Sequence, residues 1–252
     1  MSNSNQITRP HAALIHLSVS VAISAALFCF FYFVWYPSQL LRAVGGLEIF
    51  IVLLCVDTIL GPLMTFVVYK PGKRWLKLDL TIICTLQFLA LIYGVSTLYA
   101  GRPVYIAALG HRFDVVQANE VESIDSQDAL PELPIWGPVW VGTRRPSAPA
   151  ERERAINAAL AGADIGHFPR YHQPLADMRD EILRGASPIS DLKKFNLDRS
   201  NDIDQWLIAR GHTSQDSVFQ GLRARHSDMA VMIDAKTGNI IGIVAQRLVR
   251  RV

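Results

Sequence analysis

The chain has 252 residues, with 25 Lys and Arg against 22 Asp and Glu for a net charge of +3, and half of its residues are hydrophobic. The excess charge belongs to the first 100 residues, where six basic side chains meet three acids, leaving 19 of each sign in the remainder. A balanced remainder excludes the electrostatic footprint of a nucleic-acid binder. Apolar residues gathered into three long stretches exclude a wholly soluble protein.

Those stretches cover about residues 12–36, 47–69 and 78–100, each long enough to cross a ~30 Å hydrocarbon core at 1.5 Å per helical residue. The first is too long for a cleavable signal, and Trp35-Tyr36-Pro37 stands where a small-residue cleavage site would be needed. It is read as a retained helix. The second loop carries Lys70, Lys73, Arg74 and Lys77, whereas the first carries only Arg42. Basic loops stay cytoplasmic. The expected organisation is therefore a cytoplasmic N-terminus (1–11), a three-helix transmembrane region (12–100) and a periplasmic domain (101–252). Cys29, Cys55 and Cys84 all lie in the apolar stretches, so the exported part depends on no disulfide.

Asp57 is the polar outlier, ~15 Å into the second stretch by the helical rise. A carboxylate at that depth costs about 2.5–3.5 kcal/mol and needs a reason. Three readings stand open: a structural pair within the bundle, a proton or ion site, and a contact for another protein's helix. Gly61-Pro62 should kink the same helix about one turn away, which could open a groove. His16 and Asp79 have similar depths and could pair. Gln87, Thr58 and Thr65 are placed to hydrogen-bond between helices.

In the exported part, 104–109 and 112–117 read as two short strands. Residues 119–128 read as a brief acidic helix or turn, and 131–149 as a proline-rich loop carrying Trp136 and Trp140. Those tryptophans could cover the core, touch a partner or meet the membrane surface. Helices are expected over 151–161, 175–183 and 203–209. A hairpin is expected from 229–233 and 239–246 around Asp234-Ala235-Lys236-Thr237-Gly238, with its Val- and Ile-rich strands central to a sheet. The fold class is thus a membrane α-helical part followed by an α+β domain, with an antiparallel sheet and helices on one face.

Catalytic chemistry finds no constellation. His111, His167, His172, His212 and His226 lack the spacing and partners of a ligand set. Asp202 and Asp204 lack the glycine and terminal Glu of a calcium loop. No Gly-x-Ser-x-Gly turn is present, and Lys236-Thr237-Gly238 has the wrong order for a phosphate loop. No catalytic residue, metal or cofactor is expected, and Arg247, Arg250 and Arg251 read as a solvated basic tip.

Several segments resemble the type IV pilin accessory proteins of the TfpX/TfpZ family. They are Leu14-Ile15-His16-Leu17-Ser18, Val34-Trp35-Tyr36-Pro37, Val56-Asp57-Thr58-Ile59-Leu60-Gly61-Pro62-Leu63 and Lys77-Leu78-Asp79-Leu80. Arg102-Pro103-Val104-Tyr105, Arg112-Phe113-Asp114-Val115-Val116 with Ala118-Asn119-Glu120, and the late hairpin extend the likeness. His111 departs from it, since the family is expected to carry Asp there. The resemblance implies a bacterial inner-membrane protein, not an enzyme, that binds the type IV pilin subunit before or during pilus assembly as a chaperone or modulator. Asp57, Gly61 and Pro62 in the bilayer, and Trp136 and Trp140 outside it, are the candidate partner contacts. The competing class is a membrane-anchored periplasmic ligand-binding or sensor protein, against which no cytoplasmic output domain is visible. The bilayer is the other expected partner, and the oligomeric state stays open.

Overall fold

Three membrane-length helices lead into a mixed sheet in the computed structural model, which describes residues 7–37, 39–125 and 129–245. The basic tip lies outside the described residues. The helices are α1 (Arg9–Trp35), α3 (Gly46–Val68) and α4 (Leu76–Ala100), with a short α2 (Leu40–Ala43) between the first two. Helices satisfy their own backbone polar groups, which lipid cannot do. Most of their side chains face outward, as a lipid-facing bundle requires. Both α1 and α3 contain a widened π turn, at Phe31–Trp35 and Val56–Leu60. In α3 the wide turn ends at Gly61-Pro62, where the missing proline N–H would break a regular ladder. The irregularity predicted one turn from Asp57 therefore includes Asp57 itself.

The domain follows in the order β1 (Pro103–Ala108), β2 (Phe113–Gln117), β3 (Val139–Thr143), α5 (Pro149–Leu160), β4 (His172–Gln173), α6 (Arg179–Gly185), β5 (Ser187–Pro188), α7 (Ile189–Lys194), α8 (Ser200–Ile208), β6 (Ser217–Arg223), β7 (Met229–Asp234) and β8 (Ile240–Val244). Strands run β4-β3-β1-β2-β6-β7-β8, with β5 beside β6. The α+β class stands, but the sheet is mixed: β1 pairs β3 in parallel, and β2 pairs β6 in parallel over only Phe113↔Leu222 and Asp114↔Arg223.

Two further expectations are corrected. The hairpin forms, yet β8 is an edge strand rather than a central one, and Gln246 lies outside the described residues. Trp140 belongs to strand β3 rather than to a loop, because Val139, Val141 and Thr143 pack well on a pleated surface. The acidic 119–128 segment begins with a single 3₁₀ turn, Ala118–Glu120, and its residues 126–128 are not described.

Both faces of the sheet are covered, not one. On one side Ile189 and Leu192 of α7 and Ile203 and Leu207 of α8 pack on Phe219, Ala230, Met232 and Val244. On the other, Met229, Val231 and Ile233 join a core that includes Met178, Ile182, the buried α2 residues Leu40, Leu41 and Ala43, and Val44 just after them. The alternation along β7 explains this division, since successive side chains point to opposite faces. The core of the domain is thereby continuous with the membrane part through Phe31, Trp35, Phe50 and Leu98. His226 N–H donates to the Ala43 carbonyl at 2.8 Å, and Tyr36 hydroxyl donates to the Leu98 carbonyl at 2.6 Å. Gly45, at φ +84°, lies against the His226 ring, where a side chain would collide. Burial of Leu40 and Leu41 contributes roughly 1.5–3 kcal/mol each.

Candidate partner-binding site

The membrane candidates gather inside the bundle. Asp57 is only 6% exposed, and Gly61 and Pro62 are buried beside it. Gln87 of α4 reaches across and donates from Nε2 to the Asp57 carbonyl oxygen at 3.4 Å, a long bond. Gly61 makes that approach feasible, because a Cβ there would overlap the Gln87 amide. One turn on, Thr65 Oγ1 lies 2.6 Å from His16 Nδ1 of α1. The expected His16 to Asp79 pair does not form: Asp79 instead pairs with Lys73 at 2.6 Å, in the loop before its own helix. Equal depth brought His16 and Asp79 together in the sequence reading, but the helical phase of α1 points His16 at α3. Thr58 also turns inward on its own helix, donating to the Leu54 carbonyl at 2.7 Å. The result is a polar seam of His16, Asp57, Thr65 and Gln87 that ties all three spans together, and an outside helix would have to part them to reach Asp57.

Trp136 and Trp140 sit elsewhere, at the junction of bundle and domain. Trp140 is half-buried and meets Phe113 edge-on, with ring centroids 5.6 Å apart. Trp136 is 74% exposed and covers no core. Both line an open, apolar groove of about 900 Å³, whose other walls are Phe33 and Val34 at the end of α1 and Ile240 to Ile243 of β8. The groove thus runs from a membrane helix to β8, which is an edge strand among the described residues, and a sheet edge is the kind of surface an extended segment can pair with. The sequence named its tryptophans but not its β8 wall, since nothing local marks a strand as an edge.

A third cluster lies at the narrow seam of the sheet. Asp114, 3% exposed at its side chain, accepts from Arg112 Nε at 2.9 Å and from Arg223 Nη2 at 2.5 Å, and Asp164 also pairs with Arg112. The four charges cancel across the short β2 and β6 pairing, which marks them as a structural clasp. His172 is held by donation from Nε2 to the Gly166 carbonyl at 2.8 Å, and burial holds its pKa below the usual histidine range. Among the described residues no group of three or more His, Cys, Asp or Glu is arranged to hold a metal.

These features define a membrane-anchored α+β protein whose domain is seated on its own interhelical loop and opens an apolar groove beside the bilayer. Over 211 residues, 81% of this chain and 82% of the relative, it is 26% identical to the fimbrial assembly protein of serogroup I of Dichelobacter nodosus. With the serogroup E1 protein of that organism the identity is 26% over 232 residues, 90% of each chain. The fimbrial assembly protein of serogroups C1 and C2 is 34% identical over 94 residues, 36% of this chain and 72% of that one. The chain belongs to the family of these fimbrial assembly proteins. No protein-family model and no solved structure matches it.

Proposed function

We propose that this protein takes part in type IV pilus assembly as an inner-membrane accessory protein, of the TfpX/TfpZ kind, that binds the pilin subunit before or during assembly as a chaperone or modulator. The observation that carries the reading is similarity to fimbrial assembly proteins along four-fifths or more of the chain, membrane part and domain together. The basic loop from Lys70 to Lys77 supports a cytoplasmic N-terminus and a periplasmic domain. A pilin inserted beside α1 would meet Phe33 in the membrane and Trp136, Trp140 and β8 above it, so the groove suits a partner with one apolar helix and an external head. The action requires binding alone, with no chemistry of its own.

The test is photo-crosslinking in native membranes from probes at Phe33 and Ile241, followed by identification of the captured protein. Capture of a pilin subunit supports the reading. Capture of none, from an expressed and inserted protein, refutes the groove as its seat and favours a ligand-binding role.

A further inference from the structure

The segment from Leu133 to Thr143 carries no charged residue, although it belongs to the domain rather than to the spans. Its first half is pinned to the ends of two membrane helices. Arg102 donates from Nε to the Pro134 carbonyl at 3.3 Å and from Nη1 to the Tyr99 carbonyl at 2.7 Å, with its guanidinium 3.8 Å above the Tyr99 ring. Gly137, at φ +55°, turns the chain so closely past α1 that a Cβ would touch the Val34 carbonyl oxygen. Tyr99 and Val34 each lie one residue from the end of their spans, so the loop is level with the last turn of α1 and α4.

At the tip, Ile135 is 55% and Trp136 74% exposed, pointing away from the core. On the same rim stand Phe33, 73% exposed, and the exposed Tyr99. Phe33 and Trp136 border one apolar groove, while Tyr99 and Ile135 border a second surface that also holds Arg102, itself buried, and the exposed Glu132. Tryptophan beside an aliphatic residue at the depth of a helix end matches the boundary between headgroups and acyl chains, where aromatic rings with one polar edge collect.

We infer that the loop around Ile135 and Trp136 is a membrane-inserted anchor whose partner is the lipid surface, holding the domain against the bilayer at a point separate from the three spans. It rests on the membrane geometry and stands whether or not pilin is the partner in the groove.

The test uses the full chain with Cys29→Ser, Cys55→Ser and Cys84→Ser, reconstituted in vesicles of phosphatidylethanolamine and phosphatidylglycerol. A nitroxide is placed at Ile135→Cys, or separately at Trp136→Cys so that one distorted site cannot decide the result. Collisions with oxygen and with a water-soluble nickel chelate are then compared with those at Phe33→Cys and Leu197→Cys, Leu197 being 79% exposed on the domain. An oxygen-to-nickel ratio close to that at Phe33 and roughly tenfold above that at Leu197 is expected for side chains 5–10 Å into the interface. A ratio like that at Leu197 overturns the anchor. Shielding from both reagents also overturns it and shows that protein, a second copy in these vesicles, covers the tip.

Discussion

Replacing Asp114 by Asn tests whether the charge clasp holds the two halves of the sheet together. Parallel pairing of β2 with β6 spans only two residue partners, so little backbone bonding joins the two sides. Asp114→Asn keeps the shape but leaves the Arg112 and Arg223 guanidinia with Asp164 alone. Removing one partner of a fully buried pair costs about 3–5 kcal/mol. Arg112 and Arg223 are 29% and 50% exposed, so water screens part of the loss, and about 2–3 kcal/mol is expected. For a domain of this size that corresponds to a fall in Tm of roughly 5–10 °C. Arg223→Gln, losing the half-exposed partner, should cost about 0.5–1 kcal/mol. The double variant should be less destabilised than the sum, by about 1 kcal/mol. Thermal unfolding of the detergent-solubilised full chain gives the answer, with tryptophan emission following Trp140, which packs on Phe113 beside the clasp. A Tm for Asp114→Asn within about 2 °C of the parent would refute the clasp, as would strict additivity of the pair.

Three further outcomes are expected. Gly185→Ala places a Cβ into the Gly110 carbonyl, where backbone must move, and should cost more than about 2 kcal/mol by the same melting assay; a neutral result contradicts the close approach. Gly61→Ala should displace the Gln87 amide and cost only ~0.6 kcal/mol because that side chain can swing away, whereas Gly61→Val should cost clearly more; equal effects would mean the three spans are not tied at this seam. His172 is held neutral by burial, so its folded pKa lies below its unfolded one and the stability it contributes is lost as pH falls below about 6.5. Between about pH 7.5 and 5.5 the parent should lose more Tm than His172→Gln, and parallel slopes would dismiss the effect. Asp204, Asp216 and Asp234 have pKa values lowered by hydrogen bonds, so their contribution is lost only below about pH 4 and leaves that window clear.

The membrane part was legible because composition over twenty or more residues is a strong signal, and hairpin β7–β8 because a glycine turn between Val- and Ile-rich runs has few other solutions. What sequence could not supply was relative placement. His16 and Asp79 share a depth, but the angle of each helix about its axis decided that His16 meets Thr65. Val139 to Thr143 reads as loop within a segment of five prolines, and becomes strand β3 only because β1 offers it an edge. The groove was half visible, through Trp136 and Trp140, while its other wall comes from residues a hundred positions later. The segment from Pro37 to Gly45 looked like an ordinary connection between spans, and its role emerged only from what packs on it.

That last segment sets an order of events during synthesis. Leu40, Leu41 and Val44 are made long before β7 exists to cover them, so the platform for one face of the later sheet is already waiting at the ends of the spans when the domain arrives. A molecule whose first two spans inserted wrongly would offer its domain no such platform. The exposed apolar face left behind would mark it for proteolysis, making correct insertion a condition for maturation of the rest of the chain.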